Sequence, residues 1–203
     1  MLKLAAGAIC GLGAGMVTGV GARAAMRMVA DGVPDPIRTL SSFTPGGTVA
    51  IIVFAGLAGA PFGVLFAVVR DALPRPRRAR GLLFGVAMLV TVGPLFFTGA
   101  RDEFITYERM VLFSFLFLLF GLAAGFVFEP SQRLARRLPD PARWVLVFIA
   151  IGCGLLLATV IAGFAVQAAQ THGVLAIAFA VPWLALGVAG AARFRRRGSL
   201  AAA

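Results

Sequence analysis

The stretch LAAGAICGLGAGMVTGVGARAAMRMVA, Leu4–Ala30, decides the fold. Glycine recurs every fourth residue at Gly7, Gly11, Gly15 and Gly19, and the same spacing continues through Arg23, Arg27 and Asp31. In lipid, helices are held together by close packing, not by the exclusion of water. A small residue every fourth position therefore lets another backbone approach. Four residues advance a helix by about 400°, which displaces each glycine about 40° from the last. Gly7 and Asp31 do not share a face, so a partner helix following the stripe must cross at an angle. The stripe reads as a helix-packing surface, for ordinary packing in the bundle or for a specific oligomer or ligand groove.

Working outward, the whole chain has the same character. Of 203 residues, 60% are hydrophobic and 13% charged, whereas a soluble domain carries about 25% charged residues. The apolar residues come in long runs, which makes this a polytopic membrane protein and not a soluble core. The net charge of +11 comes from 18 arginines and the single Lys3. In a soluble protein such an excess would suggest nucleic acid. Here the arginines cluster at the ends of apolar runs, so membrane orientation accounts for them and no nucleic-acid partner is expected. The preference for Arg, Ala, Gly and Pro suits a GC-rich bacterial genome. Cys10 and Cys153 lie inside apolar runs and His172 is the sole histidine. A structural zinc site takes about four Cys and His ligands, so neither a metal nor another cofactor is expected.

About 20 apolar residues cross the hydrocarbon layer. Six runs meet that length, at 4–22, 48–69, 81–100, 110–128, 144–168 and 172–192. The first, with Lys3 before it and Ala22-Arg23-Ala24 after it, has the outline of a signal peptide. Its glycine-dense middle and the helix-compatible continuation through Met26 favour a retained span. The expected fold is all-α, with residues 1–203 forming one integral membrane domain of six transmembrane helices. With six spans, the segments holding Lys3, Arg70–Arg80, Glu129–Arg143 and the C-terminal arginines fall on one side, with 14 basic and 3 acidic residues. The opposite side balances five of each. The positive-inside rule then places both termini in the cytoplasm.

The 31–47 connection is the longest, and Pro34, Pro36 and Pro45-Gly46-Gly47 are expected to break any helix there. Thr48 is the expected cap of the second helix. Pro61, Pro94 and Pro182 interrupt spans two, three and six, freeing the carbonyls of Leu57, Val90 and Ala178. Such carbonyls must be buried in protein or reach water. Trp183, near the middle of span six, needs an acceptor for its indole N–H if buried. These four residues mark a candidate pathway, because broken helices are one feature of transporter sites; kinked structural helices are the plainer explanation. An internal repeat at an offset of 65 matches Gly56-Leu57-Ala58 to Gly121-Leu122-Ala123 and Leu73-Pro74 to Leu138-Pro139. It predicts spans two–three and four–five to be parallel copies.

Spans two to six carry no Asp, Glu, Lys, Arg or His at mid-depth. Proton-coupled transporters place such groups inside the bundle, and an intramembrane hydrolase needs a nucleophile with a base in reach. No GxSxG, HExxH or P-loop pattern occurs, so no catalytic residue is assigned and the chain is not expected to be an enzyme. Arg23 and Arg27, with Arg38 from the following loop, are the candidate anion- or lipid-binding residues. Paired guanidinium groups suit a phosphate or carboxylate. The simpler reading has the arginines snorkelling to headgroups, with Arg27 paired to Asp31. Asp102, Glu103 and Glu108, with Tyr107 and His172, form an outer acidic group whose oxygens could take a divalent cation; a solvated loop balanced by Arg101 and Arg109 is the simpler reading.

The segments Gly21-Ala22-Arg23-Ala24-Ala25-Met26-Arg27 and Phe43-Thr44-Pro45-Gly46-Gly47-Thr48 resemble uncharacterised multi-pass membrane proteins of high-GC bacteria. The resemblance covers about the first 70 residues and implies no assigned activity. The expectation is a non-enzymatic protein of the bacterial cytoplasmic (inner) membrane that packs helices and binds anionic lipids, or joins a second copy or a membrane partner. The alternative is a small-solute or lipid transporter or channel subunit with its path near the proline-broken helices.

Overall fold

The computed structural model describes residues 1–30, 44–74, 76–94 and 107–172, and all structural statements concern these residues. Every element among them is helical: α1 (Leu2–Ala30), α2 (Pro45–Val69), a 3-10 turn (Arg70–Ala72), α3 (Arg77–Thr91), α4 (Tyr107–Arg137) and α5 (Asp140–His172). Four segments are long and apolar enough to cross a membrane: Leu2–Met28, Pro45–Ala72, Met110–Arg137 and Asp140–Gly163. The third expected span, 81–100, is described as α3 to Thr91 and on to Pro94. The sixth, 172–192, lies outside the described residues apart from His172, the last residue of α5.

The helices run past the apolar limits drawn from hydropathy, because lipid thickness bounds the apolar stretch and not the helix. α2 begins at Pro45, where a break was expected. Proline is tolerated at the first helical position, since its missing N–H would have no intrahelical partner there. The N-cap is Thr44, whose hydroxyl accepts a 3.2 Å bond from Gly47 N. Thr48, the expected cap, instead donates its hydroxyl to Thr44 O at 3.1 Å. α4 continues through Pro130 to Arg137, so only Leu138 and Pro139 separate it from α5.

The glycine stripe of α1 lies against α2 of the same chain. A Cβ added to Gly7 would stand 2.8 Å from Gly63 O, and one added to Gly19 would stand 2.9 Å from Ile52 Cα. Gly11 and Gly15 are tighter still, against Gly59 O and Ala55 O. The fit is reciprocal, since added Cβ atoms on Gly59 and Gly63 would collide with the backbone of Gly11 and Gly7. The helices run antiparallel, and the Lys3 ammonium meets the Asp71 carboxylate at 2.8 Å where they end.

α3 and α4 repeat this arrangement. A Cβ on Gly81 would lie 2.5 Å from Gly121 O, and one on Gly85 would lie 2.7 Å from Phe117 O. Here Arg77 pairs with Glu129 at the helix ends. Gly81, Gly85 and Arg77 each lie 74 positions after Gly7, Gly11 and Lys3; Gly121 and Glu129 each lie 58 after Gly63 and Asp71. The units are thus α1–α2 and α3–α4, in place of the expected two–three and four–five. Backbone contact is sparse between α2 and α3 and between α4 and α5.

The two units are not packed symmetrically, and side-chain size explains why. Between α2 and α3, Phe66 and Phe84 meet edge to face with centroids 5.0 Å apart and hold the backbones away from each other. The equivalent positions on α4 and α1 are Ala124 and Cys10. These small residues let the helices close until Cys10 Sγ donates to Ala124 O at 3.4 Å. Phe128 joins Phe66 at 5.8 Å, also edge to face, a favoured ring geometry. α1 is therefore central, with half of its apolar window buried against 11% for α5. α5 leans on α1 and α2 through Leu146 and Ala150, and its Phe148, Leu155 and Leu156 are exposed.

Gly11→Val should destabilise the protein by at least the 1–3 kcal/mol of about one overpacked core site, because the obstacle is backbone. Gly152→Ala, where a Cβ meets nothing within 4 Å, should leave stability unchanged or slightly raised. Denaturant unfolding in mixed micelles measures both, and equal effects would contradict the crossing.

Candidate anion site at the basic end

The contacts bring five helix ends to one side. Lys3 on α1 pairs with Asp71 after α2. Arg77 on α3 pairs with Glu129 on α4 through two contacts, of which Nε to Oε1 is 2.8 Å. Arg143 on α5 donates from Nε to Ala135 O at 2.8 Å and from Nη2 to Arg136 O at 3.1 Å, while Nη1 meets Asp140 at 2.7 Å. The last carbonyls of a helix have no intrahelical partner. Arg143 supplies donors to two of them and so ties α4 to α5 where their backbones diverge. Arg80 Nε closes the α2–α3 link by donating to Pro74 O at 3.1 Å.

Amid these ties lies an open recess of about 240 Å³, lined by Arg70, Glu129, Gln132, Arg133 and Arg136. α4 supplies four of these residues because 129, 132, 133 and 136 fall three and four apart, on one helical face. Arg70 enters from the turn after α2. Its Cζ sits 4.1 Å from the centroid of the Phe128 ring, a distance at which the ring face attracts a cation. Its Nε is buried and meets no hydrogen-bond acceptor among the described residues. Glu129 is the only carboxylate lining the recess, and Arg77 already holds it. Arg70, Arg133 and Arg136 form no ion pair among the described residues. The recess thus presents three cations against one occupied carboxylate, a charge balance that favours an anion.

The other candidate residues are placed elsewhere. Arg23, at 9% exposure, donates from Nε to Thr48 Oγ1 at 3.2 Å. It fastens the far end of α1 to the first turn of α2. Arg27, one turn on, is exposed, and Arg38 lies outside the described residues. Pro61 packs against α5, with its Cβ 3.2 Å from where Gly154 would carry one. Pro94 ends the described part of the third span, and Pro182 and Trp183 lie outside it. So do Asp102, Glu103 and the side chains of Glu108 and His172. No three His, Cys, Asp or Glu residues converge as metal ligands among the described residues.

Sequence reasoning treated Arg70, Arg133 and Arg136 as members of basic clusters that set topology and attract anionic lipids, and passed over Gln132. The spacing of 129, 132, 133 and 136 was visible, but it becomes a face only if α4 continues past Pro130. The expected span ended at 128.

Four apolar helices of membrane-crossing length with their charged ends gathered define a membrane protein. The chain matches no family model, no curated protein and no solved structure.

The Arg77–Glu129 pair is exposed by 54% and 36%. A double-mutant cycle on Arg77→Gln and Glu129→Gln should give a coupling of about 0.2–1 kcal/mol, as for surface pairs. A coupling well above about 1 kcal/mol in denaturant unfolding would contradict the exposed, solvent-screened setting of the pair.

Proposed function

We propose that the protein is a non-enzymatic, multi-pass protein of the bacterial cytoplasmic membrane. Its arginine-rich end faces the cytoplasm and binds anionic phospholipids of that leaflet. The observation that carries this reading is the gathering of basic side chains from five helix ends, one from each described helix, at one side of the bundle. Lys3, Arg70, Arg77, Arg133 and Arg143 all take part. Basic residues favour the cytoplasmic side of a membrane. Each one near an anionic leaflet contributes about 1 kcal/mol of attraction. The glycine crossings have the structural task of holding the bundle on which these charges are displayed. Thr44–Gly47, at the far end of α2, is then exposed outside the cell.

Two measurements test the proposal. In a cysteine-free background, Gly46→Cys should react with an impermeant maleimide in intact cells, and Arg78→Cys should react only after lysis. The reverse pattern would overturn the orientation. In native mass spectrometry with equimolar phosphatidylglycerol and phosphatidylcholine, the purified protein should retain mainly phosphatidylglycerol. Arg78→Gln/Arg137→Gln should lower that retention by about threefold or more, as loss of two leaflet-facing charges predicts. Indifference to headgroup charge would overturn the lipid reading.

A further inference from the structure

We infer that Arg70, Gln132, Arg133 and Arg136 form a discrete site for a phosphate monoester at the basic end of the bundle. The inference rests on the proposed orientation and narrows the ligand from any anionic surface to one chemical group. A charged leaflet attracts arginines by their number, wherever they stand. The recess is more than a number, because it has an interior, a fixed cation and a neutral donor.

Arg70 supplies the fixed cation. Its guanidinium is seated on Phe128 and its Nε is shut away from solvent without an acceptor. It has lost part of its hydration and forms no ion pair among the described residues, so an incoming anion has less water to displace from it. Arg133 and Arg136 stand on the rim, exposed, where their planar forks can each give two parallel N–H donors to phosphate oxygens. Gln132, immediately before Arg133, is half-buried and offers an uncharged amide donor.

The charge balance selects the monoester. With three cations lining it and its one carboxylate already held by Arg77, the recess attracts a dianion more strongly than a monoanion. A phosphate monoester has three terminal oxygens for these donors, whereas a phosphodiester has two and a single charge. Position agrees as well. Arg70 lies two residues before the end of the apolar segment Pro45–Ala72, the depth at which lipid phosphates meet a membrane helix. The same chemistry belongs to a lipid with a monoester headgroup and to a small phosphorylated solute reaching the recess from water.

The test is competitive native mass spectrometry of the full chain with short-chain phosphatidic acid, a monoester, against short-chain phosphatidylglycerol, a diester. The parent should favour phosphatidic acid by about fivefold or more, given the extra charge-assisted bonds. Arg70→Lys, which keeps the charge and loses the fork, should reduce that preference towards unity. Arg133→Gln/Arg136→Gln should do the same at exposed positions where folding is not at stake. Arg78→Gln/Arg137→Gln should lower total lipid retention and keep the preference. No preference in the parent, or a preference that survives both recess variants, overturns the site. If preference is absent while Arg78→Gln/Arg137→Gln still lowers retention, the leaflet reading stands and the discrete site falls. If no arginine substitution changes any adduct, both fall. Adding glycerol 3-phosphate assigns the source. Displacement of phosphatidic acid shows that a soluble monoester suffices, and retention shows that the lipid chains are required; both leave the site in place.

Discussion

Backbone-on-backbone contact between α1 and α2, at Gly7, Gly11, Gly15 and Gly19 against Ile52 to Gly63, is the constraint on which the rest depends. In lipid, apolar side chains gain nothing by leaving their surroundings for one another, so helices associate where they fit closely. Removing Cβ from both sides brings many weak attractions into range along the whole crossing. It also fixes register, because a helix seated in four glycine notches cannot slide without lifting out of all of them. That register carries Lys3 to Asp71 at one end and Arg23 to Thr48 at the other.

The same device recurs between α3 and α4, yet the four helices do not form a symmetric bundle. Two residue pairs break the symmetry. Phe66 and Phe84 fill the space between α2 and α3, while Ala124 and Cys10 leave room for α1 and α4 to close. A large aromatic pair and a small pair at equivalent positions thus turn two copies of one motif into an off-centre arrangement. One consequence lies at the basic end. Phe128 is drawn under Arg70, and the recess opens between the turn after α2 and the last turns of α4.

At the basic end, charge is organised by pairing. The carboxylates Asp71, Glu129 and Asp140 each hold a cation from another turn or helix. Arg143 spends its donors on the terminal carbonyls of α4. Arg70, Arg133 and Arg136 form no ion pair among the described residues, and these three line the recess. Tying off the carboxylates is what leaves the recess electropositive, and the glycine crossings hold those ties in place.

The membrane character, the helical class and the segregation of charge could be read from the chain alone. Each depends on local properties: the length of apolar runs, the spacing of glycines and the position of arginines beside those runs. The helix boundaries were less legible, because hydropathy senses the lipid edge while helices continue beyond it, as α4 does through Pro130. Which helix would fill the stripe of α1 was not legible, since the stripe accepts any small-faced partner. The repeat at 65 residues followed matching letters; the packing follows facing notches, 74 apart in the first helices and 58 in the second. Sequence determined that glycine-faced helices would cross closely in a membrane with basic ends on one side. Tertiary structure alone decided that α1 would be central and that Arg70 would meet the α4 face. Both follow from the sizes of side chains that oppose each other across gaps such as the 114 residues between Cys10 and Ala124, and no local pattern records which residues will oppose.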